Sequence, residues 1–462
     1  MKKLLLILFC AIIGFQGYAQ NPEQKQNDRY FTINKNIDIL TTILKEIDLF
    51  YVDSLEVDKV VNQTIHSMLR QLDPYTNYIS EEDMGDLQFM TTGEYAGIGS
   101  IISYKDSSVI INEPYEGLPA DKSGLKAGDV ILQIDEHDVR NSTVQEVSDL
   151  LKGAPGTTLE ITISRPGEKN ERTIKVVREK ITIHPISYSS IVDDTIGYMH
   201  FGTFTENGAQ EVKNTVVELK EKGAKSLILD LRGNGGGIME EAVRVVNIFI
   251  PKGKEVVSTK GKIKQWDRVL RTTEQPVDST IPLVVLIDNS SASASEIVAG
   301  TLQDLDRAVI VGNRSFGKGL VQTVRELPFG ASLKVTTAKY YTPSGRGIQA
   351  MDYTHRNPDG SVGRIPDSLT TVFHTANGRE VRDGGGITPD ITVEEAKPGT
   401  ISFYLLTENI IFDYATQWAQ NHPTIPPVPE FNLSDEEYEK FKEFVKKSDF
   451  EYDRISEKTL RS

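Results

Sequence analysis

Residues 283–323 read LVVLIDNSSASASEIVAGTLQDLDRAVIVGNRSFGKGLVQT. The apolar run Leu283-Val284-Val285-Leu286-Ile287 has the length and β-branching of a buried strand. Small residues follow, and Glu296-Ile297-Val298-Ala299 then opens a helical pattern. Ser293 therefore stands at a strand-to-helix turn, where free backbone N–H groups and the positive end of the helix dipole stabilise an anion. Lys318 follows 25 residues later between Gly317 and Gly319, where little side-chain bulk blocks close approach. A neutral lysine brought against a serine takes its proton, so the two have the makings of a nucleophile and a base. A plainer reading stands beside this one. Ser293-Ala294-Ser295-Glu296 is also a capping-box pattern, and a lysine between glycines also fits a solvated loop.

Upstream, Ile196-Gly197-Tyr198-Met199-His200-Phe201 reads as a strand and 207–222 as an amphipathic helix. A second strand, 226–231, runs into Arg232-Gly233-Asn234-Gly235-Gly236-Gly237, and another helix pattern follows. Repeated strand–helix alternation predicts an α/β core with parallel strands. The glycine loop has a backbone free to approach a substrate and amides able to face a developing oxyanion. As a phosphate loop it would need a G-K-[ST] continuation, which is absent.

Two segments carry a family resemblance. Ser291-Ala292-Ser293-Ala294-Ser295-Glu296-Ile297 and Phe316-Gly317-Lys318-Gly319 resemble, in sequence and spacing, the signature of the C-terminal-processing (tail-specific) serine proteases. The resemblance implies Ser293 as nucleophile, Lys318 as general base, and Gln322, one helical turn later, as the residue orienting the lysine. The glycine loop resembles the family's DLRxNxGG motif, implying an oxyanion hole built from the Ala294 amide and one loop amide. Motif alignment points the latter to Gly236, with Gly235 and Gly237 open as alternatives. Leu72-Asp73-Pro74-Tyr75-Thr76-Asn77-Tyr78 resembles the LDP(H/Y)(S/T)xY element of the same family, and is equally a helix-ending turn.

Residues 91–180 resemble a PDZ domain. GEYAGIGSII at 93–102 joins a glycine-rich loop to a β-branched strand, and PADKSGLKAGD at 119–129 matches the fold's signature. Such a module holds a peptide's terminal carboxylate on consecutive loop amides while the peptide adds a strand to the sheet edge. The resemblance points to Gly97, Ile98 and Gly99 for that loop. The likeness to the protease family spans roughly residues 60 to 393, closing on GGGITPD at 384–390.

The expected architecture is multidomain α/β. A signal peptide (1–19) precedes a helical N-terminal region (20–90) and the PDZ domain (91–180), which is mixed β with short helices. An α/β ClpP/crotonase-like protease core (181–395) and a C-terminal helical extension (396–462) complete it. At the N-terminus, Lys2 and Lys3, a short apolar stretch at 4–15 and Gly17-Tyr18-Ala19 have the form of an export signal, too short to span a bilayer. This predicts a periplasmic or cell-envelope protein, soluble after cleavage. Cleavage would remove Cys10, the sole cysteine, leaving no disulfide, cysteine nucleophile or thiolate metal site. It would also take the formal charge from −15 to −17, against an extended nucleic-acid surface.

The seven histidines include no H-E-x-x-H pair, and neither metal nor other cofactor is expected. His200 is read as structural. Asp304 is also assigned to structure, because a carboxylate close to the lysine would favour the ammonium over the neutral base. The expected partners are proteins or peptides with free C-termini. A homo-oligomer through the terminal helical regions is a further expectation. The competing functions are a binding or scaffold protein on the same fold and an esterase, whose G-x-S-x-G elbow is absent around Ser293.

Overall fold

The computed structural model describes residues 22–394, 399–422, 424–426 and 430–448. The export-signal reading of residues 1–19 lies outside the described residues. Two compact units divide the chain at Tyr78/Ile79. The first holds helices α1 (Pro22–Phe50) and α2 (Val57–Arg70). Beyond α2, Asp73 closes the LDPYTNY turn, accepting from the Tyr75 and Thr76 amides at 2.8 Å each. That is an Asx-type turn, which explains the aspartate before proline.

The second unit opens with α3 (Met84–Thr92), ended by Gly93 in the left-handed conformation. The PDZ-like part follows as β1 (Glu94–Gly97), β2 (Ser100–Lys105), β3 (Ser108–Pro114), α4 (Pro119–Lys122), β4 (Val130–Ile134), α5 (Val144–Leu151), β5 (Thr158–Ser164), β6 (Arg172–Val177) and β7 (Glu179–Thr182). Strands β2 to β6 pair in sequence order, and β1 pairs with β7. The alternating apolar residues of these strands, with Val147 and Leu151 of α5, form a closed core around Val109, Ile131 and Ile161. The buried aspartate of the Gly128-Asp129 motif is neutralised by Arg165 through two bonds of 2.7 Å, the bidentate geometry that makes a buried carboxylate tolerable.

The core that follows contains β8 (Ile186–Val192), β9 (Ile196–Phe201), α6 (Gly208–Glu221), β10 (Ser226–Asp230), α7 (Met239–Phe249), β11 (Glu255–Gly261), β12 (Arg268–Arg271), β13 (Leu283–Ile287), α8 (Ala294–Asp304), β14 (Val309–Gly312), β15 (Leu320–Glu326), β16 (Ser332–Tyr341) and β17 (Ile391–Thr392). One sheet has the order β8-β9-β10-β13-β14-β17, parallel except for the β8–β9 pair. Strands β12-β11-β16-β15 form an antiparallel set. Helices α6, α7 and α8 bury their apolar faces with the parallel strands in one core. Three further helices, α9 (Thr400–Thr407), α10 (Ile410–Asn421) and α11 (Asp435–Lys447), lie toward the C-terminus. Helix α10 meets the PDZ-like part, where Gln420 donates to the Pro166 carbonyl at 2.7 Å and Asp413 pairs with Lys105 at 3.1 Å.

Candidate active site

Strands β9, β10 and β13 are parallel neighbours, so the segments leaving their carboxyl ends emerge at one edge of the sheet, the usual place for a site in an open α/β sheet. Thr205, Gly235, Gly236, Gly237 and Ser293 line one cavity there, of about 770 Å³. Lys318, Gln322 and apolar side chains including Met239 and Ile297 complete its wall.

Ser293 is the N-cap of α8, with φ +57° and ψ −112°, a conformation that residues with a Cβ adopt at a cost. The repeated serines explain how the strain is held. Ser291 Oγ donates to the Leu231 carbonyl at 2.8 Å, and Ser295 Oγ donates to the Asn234 carbonyl at 2.9 Å. The Ala292 amide donates to the same Asn234 carbonyl at 3.0 Å. The serine turn is thus stitched to the glycine loop, and only small side chains fit between them.

Glu296 is buried, and its carboxylate gathers four donors. Oε2 accepts from the Ser293 amide at 2.8 Å and the Lys318 amide at 2.9 Å, and Oε1 accepts from the Gly317 amide at 2.7 Å and Ser315 Oγ at 2.5 Å. Of the capping box, the carboxylate half therefore has hydrogen-bond geometry, while the Ser293 hydroxyl lies near the Glu296 amide without a cap bond to the helix. The Glu296 amide donates instead to the Ser293 carbonyl at 2.9 Å. Burial pushes the Glu296 carboxyl up to about 7 against these hydrogen bonds, which favour the anion.

Two opposite pH trends follow. The folded state holds this proton more tightly than the unfolded chain, so its contribution to stability is present below about 4.5 and is lost as pH rises through about 7. The anion that accepts all four donors accumulates over the upper part of that range. Activity is expected to rise through about pH 7 while melting temperature falls between about pH 5 and 7, and Glu296→Gln removes the fall in melting temperature. Thermal melts and kcat/KM measured across that range check this. A melting-temperature difference between wild type and variant that does not change with pH would overturn it.

The remaining sequence expectations fare unevenly. Gln322 lies on strand β15, not one helical turn beyond Lys318, because the segment after Gly319 pairs with β16. It lines the cavity, and its amide donates to Thr336 Oγ1 at 3.1 Å. Lys318 is half-buried and lines the cavity too. Gly236 is packed against the serine turn, but its amide donates to Asn234 Oδ1 at 2.9 Å, so the donor expected to face an oxyanion is engaged by a side chain. The Ala294 amide, first of α8, has no intrahelical acceptor.

In the PDZ-like part, Ile98 is buried and its carbonyl accepts from the Ala120 amide at 2.7 Å. Gly97 pairs with Glu179 in the β1–β7 ladder. The Tyr95 ring lies beside Gly97, and burial pushes its phenol up to about 12. Two of the three expected carboxylate-loop residues are therefore held by the protein itself in this conformation. Asp304 forms a buried ion pair with Arg346 at 2.7 Å and does not line the cavity. His200 is held on β9 between Ser187 Oγ at 2.6 Å and the Arg232 carbonyl at 3.3 Å. Among the described residues no cluster of three or more His, Cys, Asp or Glu could hold a metal ion.

Three residues around the cavity escaped sequence reasoning. Glu296 was visible only as a capping partner, because its second set of donors comes from 19–22 residues further along the chain. Tyr340 and Lys334 lie in the plain strand pattern SLKVTTAKYY, where nothing distinguishes a residue facing a cavity.

Residues 195–362 match the model of peptidase family S41, 110–165 that of a PDZ domain, and 401–462 that of the C-terminal helical domain of PDZ-proteases. The carboxy-terminal-processing protease of Bartonella bacilliformis is 36% identical over 371 residues, covering 79% of this chain and 76% of the relative. The chain belongs to peptidase family S41. It is accordingly a serine peptidase, a hydrolase. The carboxy-terminal processing protease CtpA of Bacillus subtilis is 33% identical over 318 residues, which is 69% of this chain and 67% of that protein. A solved structure, the photosystem II D1 C-terminal processing protease, is 29% identical, covers 78% of this chain and 88% of its own, and superposes with a TM-score of 0.42. Among the described residues of this family S41 member, no helix is long and apolar enough to cross a membrane.

Proposed function

We propose that this chain is an exported endopeptidase that cleaves protein substrates near their C-termini with a Ser293–Lys318 dyad, after capture of the tail by its PDZ domain. One observation carries the reading. The two residues line one cavity, and their amides converge on a single buried carboxylate, Glu296.

Neutral Lys318 accepts the proton of Ser293 Oγ as that oxygen bonds to the scissile carbonyl carbon. The carbonyl π electrons move onto oxygen, and backbone amides stabilise the oxyanion. Ala294 is one donor. Gly236 is the proposed second, and serving so requires its N–H to leave Asn234 Oδ1. Collapse breaks the C–N bond, and Lys318 returns its proton to the leaving amine. Water, deprotonated by Lys318, then splits the serine ester and restores the hydroxyl. Gln322 is proposed to orient the lysine from its place on β15. Every step uses the chain's own residues.

The loop Gly97-Ile98-Gly99 is proposed to bind the substrate's terminal carboxylate. Capture of this kind makes a test of its own. Amidating the substrate's C-terminus is expected to raise KM by about tenfold, the effect of losing one charge-assisted contact, while kcat for the bound peptide changes little. Equal kcat/KM for free and amidated tails would sink carboxylate capture while leaving the dyad untouched.

Export rests on the N-terminal pattern and carries with it the proposed boundaries 1–19, 20–90, 91–180, 181–395 and 396–462. Self-association through the terminal helices is supported by exposed apolar side chains such as Phe31, Leu40 and Leu49 on α1 and Phe403 and Leu406 on α9.

A further inference from the structure

We propose that Tyr340 is a positioning residue for peptide hydrolysis, its hydroxyl clamping the carbonyl groups of Ser293 and Lys318 while Glu296 clamps their amides. The inference rests on the dyad reading above.

The geometry is direct. Tyr340 lies near the end of β16 and is 2% exposed. Its Oη lies 2.5 Å from the Lys318 carbonyl oxygen and 3.1 Å from the Ser293 carbonyl oxygen. A hydroxyl has one proton, so this is a three-centre bond weighted toward the lysine. The Tyr340 amide also donates to the Gly319 carbonyl at 3.0 Å, anchoring the residue beside the loop that it holds.

Glu296 takes the N–H of the same two residues, at 2.8 and 2.9 Å. Each of Ser293 and Lys318 is therefore held at both of its backbone polar groups. A residue held at one end pivots about that bond, whereas one held at both has its peptide planes fixed, and with them the direction of its Cα–Cβ bond. The serine and the lysine come from different segments of the chain, so nothing covalent sets their separation. Glu296 bridges that gap through the two amides and Tyr340 through the two carbonyls. Burial alone does not require a tyrosine here, since phenylalanine would fill the same core position. The hydroxyl is what phenylalanine lacks. It donates to carbonyl oxygens, so its role is placement and not proton transfer.

The test compares Tyr340→Phe with wild type on one unfolded protein substrate, with Ser293→Ala as the chemical control. Tyr340→Phe is expected to lower kcat between about 10- and 100-fold, the range for a slightly misplaced catalytic group, with KM unchanged within about twofold. Labelling of Ser293 by a fluorophosphonate should slow in parallel. Val216→Ala, in the core on α6, loses stability without touching either clamp and should keep its kcat. Because both clamps act on one geometry, Tyr340→Phe combined with Glu296→Gln should lose less than the product of the two single losses. Wild-type kcat in Tyr340→Phe, or a loss matched by Val216→Ala at equal melting temperature, would overturn the clamp. Undiminished cleavage by Ser293→Ala would instead overturn the dyad reading, so the two failures are distinct.

Discussion

Ser293→Ala and Lys318→Ala are each expected to lower kcat/KM for an unfolded protein substrate by about 10⁴-fold or more, and the double variant should be no slower than the worse single one. In the proposed dyad, nucleophile and base act as one unit, so removing either removes the covalent route, and the remaining acceleration comes from binding and oxyanion stabilisation. Both substitutions leave the backbone bonds to Glu296 in place, because those bonds come from amides and not from side chains. Folding is therefore expected to survive, and melting temperatures close to wild type separate lost chemistry from lost structure. If Lys318→Ala retained far more activity than Ser293→Ala, the base would have to be another group. Multiplicative losses in the double variant would show that the two residues contribute separately.

The parallel sheet, the PDZ-like part and the placement of Ser293 at a strand-to-helix turn were legible in the sequence because each is a local signal. Apolar runs have strand length, PADKSGLKAGD at 119–129 is a contiguous signature, and SASASE is short and small enough to turn. The network joining the segments was not legible. A carboxylate that caps its own helix looks the same in sequence whether or not a loop 21 residues away also donates to it. Gln322 illustrates the converse. A spacing of four reads as a helical turn, but pairing with β16 makes the segment a strand. The engagement of the Gly236 amide was equally hidden, since Asn234 holds it through a side chain whose direction no pattern records.

Gly236→Ala should lower kcat by about 10²- to 10³-fold, the size of a lost oxyanion donor, whereas Gly235→Ala one residue away should leave kcat within a few-fold of wild type. The contrast follows from the space around each glycine. A Cβ at Gly236 would stand 2.8 Å from the Ala292 carbonyl oxygen, 2.8 Å from Ser293 Cβ and 3.0 Å from the Ala294 amide nitrogen. These are atoms of the turn that carries Ser293, the proposed nucleophile, and two of them are backbone, so relief requires the turn itself to move. The residue also sits at φ +102°, where a side chain adds strain. A Cβ at Gly235 meets nothing within 4 Å. Both residues line the cavity, so a loss of loop flexibility alone would affect the two variants alike. The crowding argument concerns the turn and not only the Gly236 amide. It therefore predicts slower fluorophosphonate labelling of Ser293 in Gly236→Ala alone. Equal kinetics in the two alanine variants would show that the loop does not bear on Ser293 as the packing requires.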